Sequence, residues 1–257
     1  MSFEITSELL ANITSYIEVS NDKAIVALFE EMHYADIAEI LDELSFDDVV
    51  YIIKLLDSEK TSAVLMELDE DIREKTLQNL SAKEIAEEVE ELDSDDAADI
   101  IGELSQERQE AVLSKIEDEE HVKEIEELLA YDEDSAGGLM AKELVKVNEN
   151  WTVLKCVREM RAQAEEVTRV HSIYVVDDND KLKGRLSLKD LLITSTKTAI
   201  SEVYIPKVDF VNVHDNLDEV SNKMRKYDLE AIPVVDNNEL VGIVTTTDLI
   251  NYLIDQF

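Results

Sequence analysis

The first half of the chain places apolar side chains on a twelve-residue beat. Met32, Leu44, Leu56, Leu68, Leu80, Leu92, Leu104 and Ile116 recur at that interval. Within a repeat the fifth, eighth, ninth and twelfth positions are apolar, as in Val49, Ile52, Ile53, Leu56 and again in Ala97, Ile100, Ile101, Leu104. This is the i, i+3, i+4, i+7 stripe of a short amphipathic helix. One continuous helix is the competing reading. Twelve residues at about 100° each would rotate the stripe by about 120° per repeat, so the apolar face would wind around a rod and stay wet. The residues that open the repeats are Asn21, His33, Ser45, Asp57, Asp69, Ser81, Asp93 and Ser105. All but His33 are types whose side-chain oxygen accepts a bond from an orphan N–H of a helix. Ser45 with Asp48, and Ser81 with Glu84, have the spacing of a capping box. The pattern predicts short capped helices stacked into a superhelix with contacts between neighbours. Residues 117–136 read as one more acidic helix, with Val122, Ile125, Leu128 and Leu129 on one side.

After residue 140 the period changes. Ser172-Ile-Tyr-Val-Val-Asp177 matches Ala231-Ile-Pro-Val-Val-Asp236, and Leu182–Leu191 matches Leu240–Leu249. Each copy reads strand, polar turn, strand, helix. A strand and a helix precede each copy: Leu144–Val147 then Thr152–Glu165, and Phe210–Val213 then Leu217–Tyr227. Two βαββα units make an α+β domain of pseudo-symmetric halves. The predicted fold is an N-terminal all-α superhelical repeat domain followed by an α+β tandem pair. The divisions fall at 1–136, 137–200 and 201–257. Gly137 and Gly138 sit at the first division, adjacent in a chain with only five glycines. They are read as a hinge whose backbone takes φ > 0.

Charge sharpens the division. The net charge is −37. Residues 1–134 hold 41 acidic against 9 basic side chains, and the remainder 20 against 15. Such a field repels nucleic acid and anionic lipid and attracts cations. A merely solvated, salt-tolerant surface is the competing reading. Carboxylates without neighbouring His or Cys suit Mg²⁺ or Ca²⁺, although no Asp-x-Asp-x-Asp-Gly loop is present. The four histidines lack metal spacing, and the lone Cys156 excludes a disulfide framework. No apolar run is long enough to cross a bilayer and no signal peptide opens the chain, so a soluble, unsecreted polypeptide is expected. Nucleophile elbow, P-loop and dinucleotide fingerprint are all missing, and the chain is not expected to be an enzyme.

Ile232-Pro-Val-Val-Asp236 and Gly242-Ile-Val-Thr-Thr-Thr-Asp-Leu249 resemble a cystathionine-β-synthase (CBS) motif. With the acidic repeat and Asp134-Ser-Ala-Gly-Gly-Leu-Met140 ahead of the pair, the whole chain resembles the cytosolic part of the MgtE-type magnesium transporters. The resemblance implies a homodimer joined through its CBS domains at the cytoplasmic face of the membrane. It also implies a C-terminal transmembrane pore domain beyond this chain. Mg²⁺ would be held by carboxylates at Asp95, Asp228 and Asp248, with Asp218 a fourth candidate. A first-turn acid complementing the helix dipole is the competing reading of Asp95, and a helix cap or ribose contact that of Asp248. ATP or another adenosine nucleotide is the second ligand implied, at Ser187, Lys189 and Asp190. Ser172 and Leu229 stand where family members can place stacking aromatics, so a simple capped helix competes there. The function implied is Mg²⁺ sensing, in which the acidic domain closes on the CBS pair and gates transport. The alternatives are a nucleotide-responsive CBS module serving another partner, and a scaffold whose acidity serves only solubility.

Overall fold

The computed structural model describes residues 4–164, 167 and 169–255. It divides into two compact units, Met1–Leu92 with Asp99–Val122, and Asp93–Ala98 with Lys123–Phe257.

The twelve-residue beat becomes eight helices: α2 (Asp22–Phe29), α3 (Tyr34–Asp42), α4 (Phe46–Ile53), α5 (Ser58–Glu67), α6 (Glu70–Asn79), α7 (Ala82–Val89), α8 (Ser94–Gly102) and α9 (Gln106–Leu113). An extra helix, α1 (Ser7–Glu18), precedes them, and α10 (Glu119–Leu128) follows. Asn21, Ser45, Asp57, Asp69 and Ser81 each accept a backbone N–H of the helix they open. Ser81 and Glu84 complete a capping box. At Ser45 the shorter Asp48 instead takes the Ser45 hydroxyl at 2.7 Å. His33 caps as well, accepting the Ala35 N–H on Nδ1, whereas Ser105 makes no side-chain cap bond. The stripe residues Ile25, Phe29, Ile37, Leu41, Ile52 and Ile85 are fully buried.

Two expectations need correction. Packing runs mainly between alternate helices, α3 with α5, α5 with α7, α7 with α9 and α4 with α6, rather than between sequence neighbours. The helix expected over 117–136 is shorter, because α10 stops at Leu128. Asp132 diverts the chain: its side chain accepts the Asp134 N–H and its carbonyl accepts both the N–H and the hydroxyl of Ser135. These local bonds compete with helix continuation.

A longer-range rule ties the first unit together. The fourth residue of a repeat meets the ninth or tenth residue three repeats earlier. Lys60 Nζ donates to the carbonyls of Phe29 and Glu30. Glu84 pairs with Lys54 at 3.4 Å. Arg108 donates to the carbonyls of Leu77, Gln78 and Leu80. In two of these three contacts a scarce cation lies over a helix C-terminus, where the macrodipole is negative.

Glu88 is the misfit. It is half-buried on α7, its Oε2 has no hydrogen-bond partner, and burial followed by the charges of Glu87, Asp57, Glu91 and Glu84 raises its pKa to about 8. A carboxyl whose folded-state pKa lies above its unfolded value of 4.5 binds more protons folded than unfolded between those limits. Stability from this group is therefore present at low pH and lost as pH rises toward 8. In Glu88→Gln, the fall in thermal midpoint between pH 5.5 and pH 8 is expected to shrink; midpoints measured at both pH values check this.

The second unit holds two sheets. Strands β1 (Val145–Asn148), β2 (Ile173–Val176), β3 (Leu182–Leu186) and β4 (Ile205–Pro206) lie in that order; β5 (Val211–Asn212), β6 (Ala231–Asp236) and β7 (Glu239–Thr245) form the other. The first pair of each sheet is parallel and the second antiparallel. Helices α11 (Val153–Gln163) and α12 (Leu188–Ile193) belong to the first motif, α13 (Leu217–Tyr227) and α14 (Thr246–Asp255) to the second. The expected end of α11 at Glu165 lies outside the described residues. Asn237 and Asn238 both take positive φ, 48° and 68°, the backbone of a two-residue hairpin turn. The two hairpin turns are joined, Leu182 N–H to Asn238 O and Leu240 N–H to Asp180 O.

Each motif borrows an edge. β4, which leads into the second motif, pairs with β3 of the first. Ala141, which leads into the first motif, exchanges two backbone bonds with Ile243 of β7, at 2.9 and 3.0 Å. The glycine pair needs a different explanation from the one the sequence suggested, since neither residue has positive φ. What excludes a side chain is crowding. A Cβ on Gly137 would lie 2.7 Å from the Tyr131 ring and 2.9 Å from Val213 O, and one on Gly138 would lie 2.3 Å from Asp132 O. Gly137 N–H also bonds Val213 O. Both glycines lie inside the second unit.

Candidate metal centre

The site is built where the first turn of α8 meets the start of α14 within the second unit. Asp95 and Asp96 stand in that first turn. Ser94, just ahead of them, is fully buried, and its N–H and hydroxyl both donate to Glu143, each at 2.9 Å. Asp95 is partly accessible at the surface but densely surrounded. Its carboxyl is held well above the ordinary range, first by burial and then by the charges of Asp96, Asp248 and Glu143.

Asp248 is oriented by a reciprocal cap. Its carboxylate accepts the Thr245 N–H at 2.6 Å and the Thr245 hydroxyl at 2.7 Å, while its own N–H donates to that hydroxyl. Each oxygen keeps an accepting site for another partner. Asp95 and Asp248, with the charges of Asp96 and Glu143 close by, offer carboxylate oxygen, the donor type that Mg²⁺ takes. Crowding that raises a carboxyl's pKa is the same field that favours a cation. Both competing readings are partly right: Asp95 does sit in a helix's first turn, and Asp248 does cap one.

The other two candidate aspartates lie elsewhere. Asp218 stands in the first turn of α13 and Asp228 is its C-cap, about 15 Å apart along the helix axis. Asp228 is exposed and left-handed, with φ of 52°. Asp218 lines a cleft of about 310 Å³ together with Asp134, Asn216, Ser221 and Tyr252. There the Tyr252 hydroxyl donates to Asp134 at 2.6 Å, which raises its pKa, with the charges of Asp218 and Asp132 adding to the effect. Glu143, Ser94 and Tyr252 carry no local sequence signal and were not singled out by it; Asp134 was seen only as the start of the Gly137-Gly138 junction.

Ser187, Lys189 and Asp190 fall together at the start of α12. Ser187 precedes the helix without making a side-chain cap bond, and Lys189 is exposed. The equivalent Thr245 and Asp248 of the second motif are bonded to each other. The first motif thus leaves its serine hydroxyl uncommitted to the cap, whereas the second does not.

An acidic stack of capped helices ahead of paired βαββα motifs defines a helical-repeat domain joined to a CBS pair. Residues 32–134 match the MgtE intracellular N domain, and residues 136–195 and 200–255 each match the CBS domain. The chain belongs to the MgtE family. It is 43% identical over 124 residues to the magnesium transporter MgtE of Thermus thermophilus, and 34% identical over 129 residues to that of Enterococcus faecalis. The matches cover 48% and 50% of this chain but only 28% of each transporter's length. Among solved structures, the cytosolic domain of the Mg²⁺ channel MgtE in complex with ATP superposes with a TM-score of 0.86 at 33% identity, covering 95% of this chain and all of the other. The soluble part of a magnesium transporter superposes at 0.81 with 27% identity, covering 97% and 98%. This chain corresponds to that cytosolic region. Among the described residues, no helix is long and apolar enough to cross a membrane.

Proposed function

We propose that this chain is the Mg²⁺-sensing regulatory region of a magnesium transporter or channel, working at the cytoplasmic face of the membrane. Its ion is held by Asp95 and Asp248, with Asp96 and Glu143 adding negative charge. Asp218 and Asp228 serve separate sites. The division of labour is an acidic sensor over 1–136 and CBS motifs over 137–200 and 201–257. The observation that carries the reading is the crowding of Asp95 by Asp96, Asp248 and Glu143. Without a cation, that first turn of α8 is held against its own repulsion. With one, the closed arrangement is favoured, because an ion shifts an equilibrium only by binding one state more tightly. Closure of the acidic domain on the CBS pair would then shut a pore that lies outside this chain.

The CBS pair also serves as the dimer contact. The helices that close the two motifs expose Leu192, Ile193, Leu253 and Ile254, more apolar surface than a monomer's helices usually leave bare. Adenosine nucleotide is a second ligand, at Ser187, Lys189 and Asp190. This part of the reading is supported by a Ser187 hydroxyl that does not cap α12 and by the ATP complex of the similar cytosolic domain.

Small-angle scattering tests the reading. The radius of gyration is expected to fall as MgCl2 rises from zero to about 20 mM, a range suited to weak carboxylate sites. An unchanged radius would overturn it. Calorimetry with ATP, ADP and AMP separates the rival: nucleotide affinity far above Mg²⁺ affinity would favour a nucleotide-responsive module.

A further inference from the structure

We infer that Ser94 and Glu143 form a latch that holds the first turn of α8 without an ion and sets how much Mg²⁺ the Asp95–Asp248 site requires. This rests on the Mg²⁺ reading above only for its second half.

Ser94 brings a long-range bond to a repeat opening. The openers Asn21, Ser45, Asp57, Asp69 and Ser81 cap their own helices from within a few residues. At α8 the Ser94 N–H is taken by a carboxylate 49 residues further along the chain. Both Glu143 oxygens are used, Oε1 by the Ser94 N–H and Oε2 by the Ser94 hydroxyl. The same hydroxyl accepts the Lys142 N–H at 3.0 Å. Lys142 in turn holds Glu127 at 2.9 Å with a side chain only 9% exposed. One residue earlier, Ala141 is fixed to β7. A buried serine thus meets a carboxylate whose backbone is anchored to a sheet. Hydrogen bonds to an ionised acceptor are about twice as strong as neutral ones.

The latch and the ion site pull in opposite senses until the ion arrives. Glu143 positions the first turn of α8 so that Asp95 faces Asp248, and it adds its own charge to the crowd there. The latch supplies the attraction that keeps part of the population assembled without metal. When only a fraction of molecules is competent to bind, apparent affinity falls by that fraction. Weakening the latch at Ser94 should therefore raise the Mg²⁺ requirement without removing a carboxylate from the site.

Hydrogen exchange on the full chain, followed in a peptide spanning residues 93–104, tests this. In EDTA, Ser94→Ala is expected to exchange about tenfold faster than the parent, because the hydroxyl's buried bond to a charged acceptor is lost together with the bond it accepts from the Lys142 N–H. Glu143→Gln is expected to move the same way. Asp95→Asn relieves repulsion and is expected to be no faster than the parent. Saturating MgCl2 is expected to bring Ser94→Ala back to the parent's rate, at a half-point about tenfold higher. A helix start that had simply failed to fold would not be rescued. Ser94→Ala exchanging like the parent in EDTA, or Asp95→Asn exchanging as fast as Ser94→Ala, would overturn the latch. A parent indifferent to MgCl2 would sink the Mg²⁺ reading instead, while the EDTA comparison would still judge the latch.

Discussion

Asp95→Asn is expected to weaken the chain's response to Mg²⁺ by about tenfold or more, while making the metal-free protein more stable at neutral pH. The two effects have one cause. Burial and the charges of Asp96, Asp248 and Glu143 raise the Asp95 pKa, so ionising it costs free energy that an amide does not. The sign follows from linkage. A carboxyl with a raised folded-state pKa contributes stability that is fully present below its ordinary pKa and is lost as pH rises through the raised value. Protons and Mg²⁺ are therefore alternative ways of neutralising the same spot. In the parent, lowering the pH in EDTA should mimic part of the effect of Mg²⁺. Thermal midpoints across pH, with and without MgCl2, check both parts. Equal Mg²⁺-induced shifts in parent and Asp95→Asn would remove Asp95 from the site.

Leu192→Asp combined with Leu253→Asp is expected to turn the proposed CBS-linked dimer into a monomer. Leu192 is 78% and Leu253 50% exposed in the single chain. Burying a leucine side chain contributes about 1.5–3 kcal/mol, and a two-fold interface counts each substitution twice. An aspartate in its place would also carry a charge into an apolar contact. The dissociation constant should rise by at least about a hundredfold on those magnitudes. Sedimentation velocity over a concentration series decides it. A double variant that sediments like the parent would move the dimer contact elsewhere. Neither leucine packs in its own core, so the monomer should keep its thermal midpoint.

The helix starts of the first unit were legible because capping is local chemistry. A serine or aspartate before an apolar stripe announces a helix without reference to the rest of the chain. The stacking of alternate helices was not legible, because superhelical pitch depends on turn geometry that twelve-residue spacing does not encode. The rule linking the fourth residue of a repeat to the ninth or tenth three repeats back became visible only in three dimensions, through Lys60, Glu84 and Arg108. In the second unit the duplicated strands and helices could be read directly, but not the exchange of edges, since Ala141 and Ile205 lie outside the duplicated strands. Asp95 and Asp248 came from the family resemblance, and nothing in their spacing brings them together. Ser94 and Glu143 were missed for a plain reason: one looks like any first-turn serine, and the other is one acid among 61 acidic residues. The glycine pair was found for the wrong cause, since close approach leaves the same mark in a sequence as a left-handed turn.

The backbone exchange between Ala141 and Ile243 acts as a ruler. Two residues past Ala141 comes Glu143, just ahead of β1; five residues past Ile243 comes Asp248, in the first turn of α14. Both are measured from a single peg, so a fluctuation of the sheet carries the two carboxylates along together and leaves their spacing intact. A lengthened loop almost anywhere else in the CBS pair would be absorbed, but one extra residue in either short span would throw the acids out of step.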